Sequence, residues 1–348
     1  MKIDKDLDSC NFCKTILMLS IIMFHSGMFW TRKWFTLIEP ADSFDELVLF
    51  TEWLGTFHIY AFTLISGYIF YHLRNERKEI NNKYNNLSNF IRLKLKRLII
   101  PYIFVSIVWV IPFAEIFWHY SPQQIVYRFL LGTSPNQLWF LLMLFGVFII
   151  AYISFTYKAL NNTKTSFLYV IFLYFIGIKL GGIMPNYFQF PLILINVLFF
   201  WIGYTLRKNY KYIPQNILTK YGIGLLLFNI FTFYLLKHLY LPVGFITNLI
   251  RVTIILLCTS SGAIMAFFLL IYLSRIIKWH NNRFKAITKA SFPMYLFHQQ
   301  FIYIFLYFLN GRLSAAILYV ISFIGSLILS YIISFLLMKN KYTRSLIS

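Results

Sequence analysis

Residues 14–30, KTILMLSIIMFHSGMFW, form an apolar run long enough to cross a bilayer, yet the run opens on Lys14 and holds His25 inside it. At about 100° per residue, the step from Lys14 to His25 closes to within about 20° of three full turns. Both side chains therefore face the same way, roughly 16 Å apart along one stripe of a helix. One polar group at the membrane edge and one within suits a ligand that enters beside Lys14 and reacts near His25.

Working outward, similar apolar runs recur to the end of the chain. Apolar residues make up 59% and charged residues 12%, and the mean hydropathy is +0.67. These values exclude an ordinary soluble domain and point to an all-α integral membrane protein. We expect about ten transmembrane helices, at 13–30, 53–72, 98–118, 137–157, 166–181, 191–207, 221–240, 250–273, 291–309 and 314–337, forming a single transmembrane domain over residues 1–348. The net charge of +21 sits between the apolar runs. With those spans, 25 of the 32 lysines and arginines fall on one side. That asymmetry predicts both termini in the cytoplasm and argues against nucleic acid as a partner. The first run lacks a small-residue cleavage site and reads as an anchor rather than a signal peptide. Cys10 and Cys13 form a CxxC, but with no second pair and no nearby histidine no metal site is expected.

Polar residues inside or beside the spans are the candidate functional groups, because ionisable side chains are costly there. His58 enters the second span near its outer end, and Ser66-Gly67 lies deeper, where such a pair normally serves close helix packing. A strongly basic loop follows, with Arg74, Arg77, Lys78 and Lys83, then Arg92, Lys94, Lys96 and Arg97, and Pro101 just beyond. It suits anionic lipid headgroups or a phosphate-bearing cytosolic ligand. Asn136 and Trp139 open the fourth span. In the ninth, Ser291, Tyr295 and His298 fall at i, i+4 and i+7, on one helical face. The loop of residues 31–52 carries Glu39, Asp42, Asp45, Glu46 and Glu52 against Arg32 and Lys33. It reads as a solvated loop or as a lip contacting a polar acceptor.

Together these residues resemble the membrane-bound acyltransferase family 3, integral-membrane O-acyltransferases that modify cell-surface glycans. Lys14 and His25 match that family's Arg/Lys-x10-His. Phe57-His58-Ile59-Tyr60-Ala61-Phe62 and Ser66-Gly67-Tyr68 match its second-span pattern. Lys94-Leu95-Lys96-Arg97 with Pro101 matches its RxxR element, and Leu138-Trp139-Phe140-Leu141 and Ser291/Tyr295/His298 match two further elements. Lys94 departs from the pattern by replacing an arginine, and so lacks the fork that grips phosphate bidentately; Tyr60 stands where proline is usual. The sequence is most similar to the branch acting on capsular or exopolysaccharides.

The resemblance implies a bacterial cytoplasmic-membrane enzyme that takes an acetyl group from cytosolic acetyl-CoA. The implied acceptor is a hydroxyl of a capsular or exopolysaccharide or of a lipid-linked glycan. Arg92, Lys94 and Arg97 would hold the donor's phosphates, with Lys14 at the mouth of the channel. His25 would act as general base or carry the acyl group. Tyr295, His298 or Asn136 would face the developing oxyanion, Glu115 would orient His25, and His58, Ser66 and Trp139 would line the site. About ten residues follow the last expected span, so no fused soluble domain is expected, and either the glycan is acylated directly or a partner protein of glycan assembly takes the group. The alternative from another class is a polysaccharide exporter without acyltransferase activity, which would show two related halves with broken helices; no internal repeat is evident. A polysaccharide polymerase would need larger external loops than the sequence offers.

Overall fold

The computed structural model describes residues 5–33, 38–76, 84, 86–210, 212–240 and 242–347. These are helical, with no strand among the described residues. In chain order the α-helices are α1 (Lys5–Gly27), α2 (Asp45–Gly55), α3 (His58–Tyr71), α4 (Leu87–Lys94), α5 (Ile100–Val105), α6 (Ile111–Trp118), α7 (Pro122–Ile125), α8 (Trp139–Ser154), α9 (Thr163–Ile183), α10 (Phe190–Asn209), α11 (Gln215–His238), α12 (Phe245–Ile276), α13 (Asn282–Leu309), α14 (Ala315–Lys339) and α15 (Lys341–Ile347).

Nine helical stretches among the described residues are long and apolar enough to cross a membrane. They correspond to nine of the ten expected spans. The remaining one, 291–309, falls in α13, a helix of 28 residues. Its His298-Gln299-Gln300 run lowers its hydropathy, but those three side chains are buried against other helices rather than turned to lipid.

The helix carrying Lys14 and His25 lies at the centre, with α1 packed against α2, α3, α12, α13 and α14. A second layer forms where α10 packs on α3, α8 and α9. The α3–α10 crossing is set by two glycines: a Cβ on Gly67 would lie 1.9 Å from the Phe200 carbonyl oxygen, and one on Gly203 1.8 Å from that of Leu64. The Ser66-Gly67 pair is thus a packing element, as its sequence context indicates. Outer helices turn large apolar residues outward, Phe172 on α9 and Phe231 on α11 among them, as lipid-facing surfaces do.

Two departures from regular helix shape the site. The second expected span starts earlier than 53 and breaks at Thr56-Phe57, between α2 and α3. The freed carbonyls are met locally: Thr56 Oγ1 donates to Trp53 O (2.7 Å), and the His58 ring bonds Leu54 O (2.8 Å). The third span is widened twice into π-helical turns, at Leu95–Ile99 and Ser106–Val110. Each immediately precedes a helix with proline in its first turn, Pro101 in α5 and Pro112 in α6. Proline has no N–H, and its ring abuts the carbonyl four residues back, so the preceding turn opens.

Candidate active site

The stripe on α1 faces α13. His25 Nδ1 lies 2.7 Å from His298 Nε2, with the rings stacked at 10° and 5.0 Å between centroids. His298 is fully buried, and its Nδ1 lies 2.7 Å from the backbone oxygen of Tyr295. That contact fixes the tautomers of the neutral pair. A carbonyl only accepts, so Nδ1 of His298 carries the proton and its Nε2 is an acceptor. Nδ1–H of His25 therefore donates to His298, and the lone pair of His25 lies on Nε2, free for chemistry. The group orienting His25 is a second histidine. Glu115, expected in that role, is exposed on α6 instead.

A cavity of about 360 Å³ runs beside this stripe from the Lys14 end. Lys14, Lys94, Arg97 and Lys289 line it, with no carboxylate among its lining residues. Met18 and Ile21 on α1, Ser66 on α3 and Tyr295 on α13 also line it, whereas His25 and His298 are not among its lining residues. Ile21 is one helical turn short of His25, about 6 Å along the axis. Lys94 is buried at 6% exposure, with Nζ 3.4 Å from the centroid of the Phe148 ring and 3.5 Å from the Tyr84 hydroxyl. A desolvated cation–π contact of this kind contributes about 2 kcal/mol and holds the ammonium at the cavity wall without neutralising it. Four cations without an acid attract an anion of several charges, such as a phosphate ester.

A polar clamp backs the histidine pair. The Tyr295 hydroxyl donates to Gln137 O. Gln137 Nε2 donates to Leu296 O (2.8 Å) and to Gln300 Oε1 (2.9 Å), which also accepts from Trp109 Nε1 (3.0 Å). These bonds pin the start of the fourth span to the turn of α13 that carries His298. Asn136, next to Gln137, has φ of +49°, a left-handed conformation in which asparagine is among the few tolerated residues. Its Nδ2 is buried with no hydrogen-bond partner among the described residues.

The other expected site residues divide clearly. Ser66 lines the cavity, its hydroxyl donating to Phe62 O (3.0 Å). His58 is buried behind the pair, its ring 4.4 Å from that of Phe24. Arg92 is exposed and outside the cavity, and Trp139 packs edge-on against Phe140 without lining it. Arg77, Lys78 and Lys83 lie outside the described residues.

This constellation on α1, α3 and α13 is carried by a stretch that matches one family model, described as an acyltransferase domain, over residues 7–335. The chain belongs to the acyltransferase 3 family. No curated protein and no solved structure matches it.

Three features of this acyltransferase escaped the reading of its sequence. Lys289 completes the cationic cavity, but in sequence it is one more basic residue of a loop. Gln137 and Gln300 form the clamp, and their signal was visible as glutamines inside apolar helices. Arg207, in sequence one more basic residue at the end of a span, is 3% exposed and grips Glu76 with two bonds, of 2.9 and 2.6 Å. It ties the end of α10 to the π turn His72–Glu76 that follows α3.

Proposed function

We propose that the protein moves an acetyl group from cytosolic acetyl-CoA to a hydroxyl of a capsular or exopolysaccharide, or of a lipid-linked glycan, in a bacterial cytoplasmic membrane. The observation that carries this reading is the His25–His298 bond, which leaves one imidazole nitrogen of His25 without a partner one helical turn beyond Ile21, a wall residue of the cation-lined cavity. The positive-inside asymmetry of the sequence supports a cytoplasmic mouth for that cavity.

In this mechanism Lys14, Lys94, Arg97 and Lys289 take the donor's phosphates, and the thioester arm follows Met18 and Ile21 toward His25. Nε2 of His25 accepts the proton of the attacking sugar hydroxyl as its oxygen bonds the acyl carbon. The resulting imidazolium still donates through Nδ1 to His298, so the pair is not disrupted by the transfer. Collapse of the tetrahedral intermediate breaks the carbon–sulfur bond, and the thiolate recovers the proton from His25. The same lone pair can instead attack the thioester and hold the acyl group until the acceptor arrives; rapid acid quench and peptide mass analysis separate the two routes. Of the three oxyanion donors considered, Tyr295 and His298 have each committed their hydrogen to a backbone carbonyl. Asn136 Nδ2 keeps its hydrogens available, and it is the donor this reading assigns. Nothing favours the exporter alternative.

The test is O-acetyl content of the host's surface polysaccharide by proton NMR, in wild type, a deletion strain and a His25→Ala strain at matched protein level. Loss of the acetyl signal in both mutants is expected. Retention in His25→Ala alone removes His25 from the chemistry, and retention in the deletion strain refutes the function.

A further inference from the structure

The face opposite the cationic cavity carries a second hollow that acyl-donor binding and the histidine pair leave unused. It measures about 450 Å³ and lies between α2, α11 and α12. A single amide joins the helices that bound it: Trp53 Nε1 donates to Asn229 Oδ1 (2.8 Å), and Asn229 Nδ2 donates to Cys258 O (2.7 Å). Glu52 stands at the rim and accepts from Lys33 Nζ (2.5 Å) and from Lys237 Nζ. Arg251 adds a third cation, and its guanidinium makes no hydrogen bond among the described residues. Three cations around one carboxylate leave an excess of two positive charges.

Arg251 lies six residues into α12, about 9 Å from its start. That is the edge of the span expected over 250–273, where a guanidinium with no carboxylate bonded to it among the described residues is placed to meet an anionic headgroup. Beneath the charges the wall is apolar, with Phe233 and Leu236 on α11 and Ile254 and Ile255 on α12. The hollow thus offers positive charge at its rim and hydrocarbon below, and basic pockets between membrane helices of this kind bind lipid headgroups. Of the stretch expected as a loop over 31–52, the part from Asp45 onward folds into α2, and Lys33 and Glu52 from that stretch line the hollow.

We propose that this hollow binds the phosphate head of an amphiphile whose hydrocarbon tail lies along α11 and α12. Arg251 and Lys237 take the phosphate, and Glu52 positions the two lysines. Two sources share this chemistry, a bilayer phospholipid and a lipid-phosphate carrier bearing the acceptor sugar. The second rests on the function proposed above. Thr56 lines the hollow two residues before His58, whose ring packs on Phe24, the neighbour of His25; a sugar on the bound phosphate would project toward the catalytic end of α1.

The test measures binding to the purified full chain in detergent by native mass spectrometry and thermophoresis. The probes are a long-chain polyprenyl monophosphate, phosphatidylglycerol, the free polyprenol and inorganic phosphate. The phosphate amphiphiles are expected to bind at least about tenfold more tightly than the free polyprenol and than inorganic phosphate, and Arg251→Gln to remove that advantage while Arg251→Lys retains most of it. A clear preference for the polyprenyl phosphate assigns the site to the acceptor carrier, and equal binding assigns it to a phospholipid. Unchanged affinity in Arg251→Gln, or free polyprenol binding as tightly as its phosphate, overturns the proposal. Thioester hydrolysis by the same preparations reports separately on the donor side. An unfolding midpoint of Arg251→Gln equal to that of wild type shows an intact fold, and absence of hydrolysis in wild type counts against the acyltransferase mechanism while leaving the lipid-binding result to stand on its own.

Discussion

At the scale of single residues, the central finding is a division of labour between two histidines. His25 offers a lone pair, and His298 holds it in position by accepting from Nδ1 while spending its own proton on the Tyr295 carbonyl. Removing His298 should therefore leave donor binding intact and misorient the base. We expect His298→Ala to lower kcat by about 10²–10³-fold with KM for the donor nearly unchanged, measured by steady-state kinetics in proteoliposomes. Asn136→Ala should cost about 10²-fold in kcat through loss of oxyanion stabilisation, with the same assay and a donor KM that stays put; a rise in KM with kcat unchanged would remove Asn136 from the chemistry. The sequence displayed His25 and His298 as polar groups inside apolar helices. Their meeting was not legible, because the two positions are 273 residues apart and only the packing of α1 on α13 brings them into register. Lys289 was hidden for the opposite reason, being a lysine where topology alone already asks for lysines.

At the scale of helices, departures from regularity do the positioning. In an ordinary α-helix the row Leu95, Ile99, Ile103, Ile107 and Ile111 would wind by about 160° over its length. Each π turn absorbs one residue without the usual rotation, so two of them bring the row back to within about 40° of a line. That row indeed lines one groove of about 650 Å³, while Lys94, Arg97 and Leu98 from the same stretch face the cationic cavity. The prolines that open these turns were visible in the sequence, but their effect on which face each residue takes depends on the widened geometry. The glycines of the α3–α10 crossing behave more simply. Gly67→Ala drives a methyl group into the Phe200 carbonyl, a backbone atom that cannot swing away. We expect a loss of about 1–3 kcal/mol, read as a lower midpoint in thermal unfolding by tryptophan fluorescence, and with it reduced activity because Ser66 is displaced from the cavity wall.

For the whole molecule, the multi-helix architecture followed from apolar run lengths, and the family from five short motifs in order. The shape of the interior did not follow from either. One hollow is lined from the Lys14 end of α1 as far as Ile21 and Tyr295, another from Lys33, Glu52 and Thr56 at the far end, and the paired imidazoles line neither.

That arrangement bears on something the chemistry does not mention, the electrical tightness of the membrane. A crevice lined by Lys14, Lys94, Arg97 and Lys289 with no compensating acid presents a positive potential to whatever enters. It admits anions and repels hydronium and metal cations, as a fixed positive charge does in pores that exclude protons. On this view the same four side chains that collect an anionic donor also keep the hollowed protein from short-circuiting the ion gradient of its host. Liposomes holding the wild-type protein should retain an imposed pH gradient, whereas the doubly neutralised Lys94→Gln/Lys289→Gln protein should let it decay faster, as followed with a trapped pH-sensitive dye; equal decay would mean that the packed residues around His25 seal the bilayer unaided.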